Sequence, residues 1–252
     1  MKNIKLIFTG HSGFIVETEE KVLAFDITKE GADIDELNKI IENLPREKKL
    51  IVFSSHAHGD HYTPRVFTWF DGIYGGEPAE FFLGDDKEMK FSRVPDSDNI
   101  HFINGNEEAE CEGVKIETLP STDAGVAFIA TADEKTIFHA GDLVWWDWTR
   151  DGGVYDPEEA RKEAEETERD FKEKMAPIKG RHIDLAMIPL DPRLGGTSDW
   201  TIEEYNRVAD IDLIAPMHQW GQFTLTDDFV KSHPDMEDKI IRIQKSGETF
   251  TL

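Results

Sequence analysis

The chain has 252 residues, 38% of them apolar, with 52 acidic against 28 basic side chains and a formal net charge of −24. That length supports one large α/β domain with a substantial core, or two small ones. The charge argues against nucleic acid, whose phosphates demand a basic footprint, and against an anionic membrane surface. It still allows an anionic small molecule, because a metal centre and a few placed cations can dominate a pocket locally.

Cys111 is the lone cysteine, which rules out an intrachain disulfide and fits a reducing compartment. Met1–Phe8 contains no apolar run long enough for a signal peptide, and no run approaches transmembrane length. The expected location is therefore the cytoplasm.

Ile4–Thr9 reads as a strand, and Phe14–Glu17 with Val22–Asp26 as a hairpin turning at Glu19-Glu20-Lys21. Behind a capping Asp33, the spacing of Ile34, Leu37, Ile41 and Leu44 predicts a helix that Pro45 ends. Leu50–Phe53 is a short, wholly apolar strand of the kind buried on both faces. Thr63-Pro64 reads as an N-cap followed by a first-turn proline. Strands are expected at Glu80–Leu83, Asn99–Ile103, Val114–Leu119, Val126–Thr131 and Lys135–His139.

Asp156-Pro157 then opens an acidic helix, an insertion at about 156–176, with charges paired at three- and four-residue spacing. Its apolar stripe is thin: Ala160, Ala164, Phe171 and Met175. Further strands fall at Ile183–Leu190, Asp212–Met217 and Ile240–Gln244, with a helix near Ile202–Ala209. No linker rich in Pro, Gly or Ser interrupts the alternation, so residues 1–252 read as a single domain.

The densest chemistry follows Leu50–Phe53 directly. His56-Ala57-His58-Gly59-Asp60-His61 packs three imidazoles and a carboxylate onto one loop at a strand end. Neutral imidazole nitrogen and carboxylate oxygen suit borderline divalent metals such as zinc. Alternation sends His56 and His58 the same way, while the turn at Gly59 lets Asp60 and His61 reach a second point nearby. One loop can thus serve two metals, as two-metal hydrolysis requires. Downstream, Ile137-Phe138-His139-Ala140-Gly141-Asp142 and Leu213-Ile214-Ala215-Pro216-Met217-His218 each end a strand on a metal-binding residue type. Asp26 ends the earlier strand Val22–Asp26.

In order and spacing this series resembles the metallo-β-lactamase fold superfamily, with its His-x-His-x-Asp-His signature, later Gly-Asp pair and late His. The likeness runs from about Ile4 to the C-terminus. Thr9-Gly10-His11-Ser12-Gly13-Phe14 and Pro216-Met217-His218 are most similar to the branch of ascorbate-6-phosphate lactonase-like metal-dependent hydrolases. The resemblance implies an α/β (α+β) fold, a four-layer αββα sandwich. It also implies a third His between the cluster and the Gly-Asp pair, and Leu119–Gly125 contains none. Alignment on Pro120 and Gly125 puts Thr122 at that position, whereas the looser pattern of the lactonase-like branch puts Asp123 there. A carboxylate is the better ligand; a turn-capping role is the other reading of Asp123.

Carried over residue by residue, the resemblance implies that His56 and His58 hold a first metal with Asp123 or Thr122. Asp60, His61 and His218 would hold a second, with Asp142 bridging. Asp60 is also a catalytic candidate, orienting the attacking hydroxide or passing a proton to the leaving group. Asp26 is expected to support a ligating imidazole from behind. His11 is expected at the pocket edge, in substrate binding or proton transfer, or else in a structural hydrogen bond.

Trp145 and Trp146, with Trp148, follow Asp142 at once and read as an apolar wall or lid over substrate, or as anchors for the acidic helix. Arg193 reads as a clamp for a carboxylate or phosphate, or as a surface ion pair. His139 is expected in the core or behind the ligands, and His101, His182 and His233 have no motif context.

The implied activity is hydrolysis of a small-molecule, anionic ester, lactone or phosphoester by a metal-activated hydroxide. One or two divalent ions would serve, zinc foremost, with manganese or iron as alternatives. Two other readings are a non-hydrolytic iron or manganese oxidoreductase and a metal-binding protein without catalysis. A homo-oligomer is compatible with the sequence.

Overall fold

Two runs of apolar strands, in a computed structural model described for residues 4–150 and 157–252, build two mixed sheets that stack face to face. Strands β1 (Lys5–Gly10), β2 (Gly13–Glu17) and β3 (Lys21–Phe25) form an antiparallel meander. Helix α1 (Ile34–Glu42) returns the chain to β4 (Lys49–Ser54), parallel to β3. After α2 (Val66–Trp69) comes a small ribbon of β5 (Ile73–Tyr74) and β6 (Glu77–Pro78). The sheet then continues in parallel with β7 (Glu80–Gly84), α3 (Lys87–Phe91) and β8 (Ile100–Ile103).

The second sheet opens with antiparallel β9 (Glu108–Cys111), β10 (Val114–Pro120), β11 (Val126–Ala132) and β12 (Lys135–His139). Two parallel crossovers follow: α4 (Pro157–Met175) to β13 (His182–Pro189), and α5 (Trp200–Val208) to β14 (Asp210–Met217). Helix α6 (Thr224–Ser232) precedes β15 (Thr249–Thr251), which pairs with β1 at the edge of the first sheet.

Strand alternation decides which layer each residue joins. In β4, Leu50 and Val52 face helices and pack with Leu37, Ile41, Val66 and Met89. Ile51 and Phe53 face the other sheet, where the Phe53 ring stacks on Phe25 at 4.7 Å and meets Phe128 at 5.0 Å. Beyond the second sheet, Phe171 of α4, Tyr205 of α5 and Phe229 of α6 are buried in the same continuous core. The four layers are αββα, as expected.

Asp33 caps α1, its Oδ1 accepting from the backbone N–H groups of Asp35 and Glu36 at 3.1 Å. Three local expectations fall differently. The helix expected behind Thr63-Pro64 starts only at Val66, after a turn closed by Val66 N–H donating to the Thr63 carbonyl. Ile240–Gln244 is no strand: it makes a single bridge, Ile214 to Ile240. Ile240 and Ile241 are buried against the core, but beyond the Ile241 N–H donating to the Ile214 carbonyl no ladder with β14 continues. Asp156, expected to open the acidic helix, lies outside the described residues, and the helix runs from Pro157 to Met175.

Candidate metal centre

Parallel pairing brings the carboxyl ends of β3, β4, β12, β13 and β14 to one edge of the sandwich, the edge where open α/β sheets bind ligands. There the chain turns sharply. His11 (φ 42°), Asp26 (φ 46°) and His218 (φ 63°) all adopt left-handed backbone conformations. Each costs roughly 1 kcal/mol or more, which the surrounding packing must overcome.

These turns assemble two groups of side chains. His56, His58, Asp123 and Asp142 each bring a ligand atom within 4.8 Å of the others, and His11, Asp60, His61 and His218 do the same. Asp142 faces both. Its Oδ2 lies 3.7 Å from His56 Nε2, and its Oδ1 lies 3.1 Å from His61 Nε2 and 3.6 Å from His218 Nε2. Asp60 Oδ2 stands 3.3 Å from His11 Nε2 and 3.5 Å from His218 Nε2. Asp123 Oδ2 is 3.6 Å from His58 Nδ1, which in turn is 3.0 Å from His56 Nε2.

The donor set fits divalent cations. His11 Nε2, His61 Nε2, His218 Nε2 and Asp142 Oδ1 are buried, converge, and have no aligned hydrogen-bond partner. Leaving such atoms unsatisfied costs about 1–3 kcal/mol each. A cation among the three imidazole nitrogens, which lie within 4.8 Å of one another, would satisfy them together, with Asp142 Oδ1 beside His61 and His218.

The opposite nitrogens are held from behind, as metal-bound histidines generally are. Asp26 accepts from the Ser55 backbone N–H and hydroxyl, both at 2.7 Å, and from His61 Nδ1 at 2.8 Å. With its proton committed to Asp26, the Ser55 hydroxyl is left to accept from His56 Nδ1 at 3.0 Å, freeing Nε2 as a lone pair. Asp191 does for His218 what Asp26 does for His61, accepting from Nδ1 at 2.8 Å while Arg193 binds it from outside. His139 lies behind the centre: its Nδ1 accepts from Gly141 N–H, so Nε2–H donates to the Ser12 carbonyl at 2.8 Å.

Glycines let these elements close on the Ser55–His56 backbone. A Cβ at Gly125 would sit 1.9 Å from the Ser55 carbonyl oxygen, one at Gly84 2.0 Å from it, and one at Gly141 2.9 Å from Ser55 Cβ.

Proton affinities without metal follow from this packing. Burial, reinforced by neighbouring His61, drives His56 down to about 3. Burial alone would lower His61, but the Asp142 and Asp26 carboxylates override it and hold the ring well above the ordinary imidazole value. Burial opposes protonation of His218 too, and Asp191 and Asp60 outweigh it. A metal at His61 must therefore compete with a proton that the Asp142 and Asp26 carboxylates favour, whereas His56 is already neutral at pH 7. Metal uptake at pH 7 is expected to release protons, and apparent affinity to fall as pH drops. Calorimetric titrations in buffers of differing protonation enthalpy measure this; a count of zero protons released would contradict the convergence of His61 and His218 on the metal.

Each residue expected at the site can now be placed. Thr122 is occupied: its hydroxyl lies 2.9 Å from the Asp142 carbonyl and 2.7 Å from that of Val144, and it accepts from Val144 N–H. Asp123, not Thr122, joins the first group. His11 stands inside the second group rather than at its rim. Trp146 and Trp148 stack in parallel, 5.5 Å apart, and line a cleft of about 640 Å³ over Asp60, Asp123, Asp142 and His218.

Trp145, expected beside them, is corrected: it packs under α4, stacked on Phe171 at 6.0 Å and against Trp200 at 5.0 Å. Tight turns after Asp142 send adjacent rings to opposite sides. Arg193 pairs with buried Asp191 instead of a surface carboxylate, and its guanidinium lies 4.8 Å over the Trp220 ring on the cleft wall. Asp191, Ser55 and Trp220 were not singled out from sequence. Asp191 opens the strand-end loop that contains Arg193, and Trp220 lies two residues past His218; those positions were the available signals.

The Beta-lactamase superfamily domain matches residues 5–146, more than half of the chain, and the chain belongs to that family. Within it, the sequence is 29% identical over 154 residues to the UPF0173 metal-dependent hydrolase of Bacillus cytotoxicus, a match covering 55% of this chain and 63% of that relative's length. Among solved structures, the metallo-β-lactamase fold protein YhfI from Bacillus subtilis superposes over 100% of both chains, with a TM-score of 0.64 and 15% identity. CmlA, a diiron β-hydroxylase from Streptomyces venezuelae, covers 100% of this chain with 54% of its own, with a TM-score of 0.60 and 11% identity. These two likenesses concern the fold.

Proposed function

We propose that the chain is a metal-dependent hydrolase of a small, anionic ester, lactone or phosphoester, working as one domain in the cytoplasm. The observation that carries this reading is the convergence of four buried, unpartnered ligand atoms, on His11, His61, His218 and Asp142, beneath an open cleft. His56, His58 and Asp123 would hold one ion, Asp60, His61 and His218 a second beside His11, and Asp142 both. Ions held there would supply Lewis acidity, lowering the pKa of water towards neutrality and polarising an acyl or phosphoryl oxygen.

The chain's own groups do the rest. Burial would raise the Asp60 carboxyl, but His11 and His218 hold it far below the usual range, so it stays an acceptor that can orient a water. Trp146 and Trp148 exclude water from one wall of the cleft, and Arg193 offers positive charge to an anionic substrate group. The finer affinity to lactonase-like hydrolases rests on Thr9–Phe14 and Pro216–His218.

A second reading, an iron or manganese oxidoreductase, is favoured by one feature: Asp123 in place of an imidazole hardens the first donor set. Among the described residues no helix is long and apolar enough to cross a membrane.

The test is elemental analysis of protein purified without a metal-affinity tag, followed by a panel of lactones, carboxylate esters and phosphoesters. Chelation should abolish hydrolysis and metal should restore it. Asp123→Ala should lose about one ion per chain while Thr122→Val keeps full content. Oxygen-dependent turnover without hydrolysis would establish the oxidoreductase instead, and failure to take up any metal would sink both.

A further inference from the structure

Behind the metal cleft lies a second, more enclosed pocket of about 200 Å³, between the ends of β1 and β14. Its walls are largely apolar, with Phe8, Met217 and Phe223 among them. His11 and Trp220 line it too, and they are also the boundary with the metal groups: the Trp220 ring packs 4.5 Å from His11 and 5.5 Å from His218. Besides His11 and the exposed Glu30, one further polar side chain lines the pocket, and it is buried. Gln219 is 3% exposed; its Nε2 donates to Thr226 Oγ1 at 2.6 Å, and its Oε1 is buried with no partner.

A buried amide oxygen without a donor is costly, and ligand sites of this type combine apolar walls with a few placed polar groups. From these observations we propose that the pocket is a substrate subsite. It takes an apolar, ring-sized arm that ends in a hydroxyl or N–H, which donates to Gln219 Oε1, while the hydrolysable bond lies across Trp220 in the metal cleft. The assignment rests on the hydrolase reading for its place in a reaction, but the pocket's preference for a donor-bearing arm is a binding property of its own. It narrows the substrate class to compounds with an anionic or metal-facing end joined to an apolar arm that carries a hydrogen-bond donor.

The test uses 4-fluorobenzyl alcohol and 4-fluorotoluene, matched in ring but differing in the donor, with binding read by fluorine NMR on the metal-loaded and the chelated full chain. The alcohol should bind about tenfold more tightly. Gln219→Leu should erase that difference, and Phe223→Trp, which narrows the pocket, should displace both probes. Equal affinity of the two probes for the wild type overturns the assignment without any variant. So does a preference that survives Gln219→Leu, or binding indifferent to Phe223→Trp. If chelated protein keeps the preference while no hydrolytic substrate is found, the subsite stands and the hydrolase reading fails.

Discussion

Asp142→Ala is expected to lower hydrolytic turnover by roughly a thousandfold and to reduce metal content, while the chain still unfolds cooperatively. Among the described residues, Asp142 is the one carboxylate whose two oxygens face different groups, Oδ2 towards His56 and Oδ1 towards His61 and His218. Its removal takes away the carboxylate that the two groups share, leaving Asp123 in one and Asp60 in the other to balance two cations. In the metal-free state it also strips His61 of its main source of raised proton affinity, so the ring should titrate at lower pH in the variant. NMR of the histidine ring protons reads that change independently of activity. Full metal content with unaltered turnover would exclude the bridging role.

Gly125→Ala is expected to destabilise the protein by about 3 kcal/mol, combining left-handed backbone strain with overpacking. At φ 64° the added methyl would stand 1.9 Å from the Ser55 carbonyl oxygen and 2.7 Å from His56 Cβ. Neither neighbour can yield without moving His56. Gly113 supplies the control, because at φ 77° a Cβ there meets nothing within 4 Å. Gly113→Ala should cost only the backbone term, about 1 kcal/mol. Urea unfolding of both variants decides the matter; equal losses would show that strain alone, not the approach to Ser55, sets the requirement for glycine.

The His56–His61 loop was legible because its ligands are neighbours in sequence, where period-two alternation and one glycine turn settle their directions. Asp142 and His218 were legible because each follows closely on a strand whose apolar run announces it. The supporting carboxylates were less so: Asp26 could be guessed from its strand end, but Asp191 meets His218 only through parallel pairing of β13 and β14. Choosing between Thr122 and Asp123 needed the hydrogen bonds of the Thr122 hydroxyl. Trp145 and Trp146, adjacent in sequence, part company at a turn whose course no periodicity describes. Helix α6 escaped notice because Thr224, Thr226, Asp227 and Asp228 are weak helix formers, and burial of Phe229 and Val230 holds it in place. Strand β15 is a three-residue edge that exists by pairing with β1.

Asp26 belongs to neither metal-binding group, yet it is tied to both. It receives His61 of the second group outright and, through the Ser55 hydroxyl, His56 of the first. Fixing either imidazole tightens the arrangement that the other imidazole needs. Were ions held by both groups, occupancy of one would change the affinity of the other, and thermodynamic reciprocity would require the influence to be equal in both directions. Loading would then be a linked event, its cooperativity set by a carboxylate and a serine that stand outside both groups.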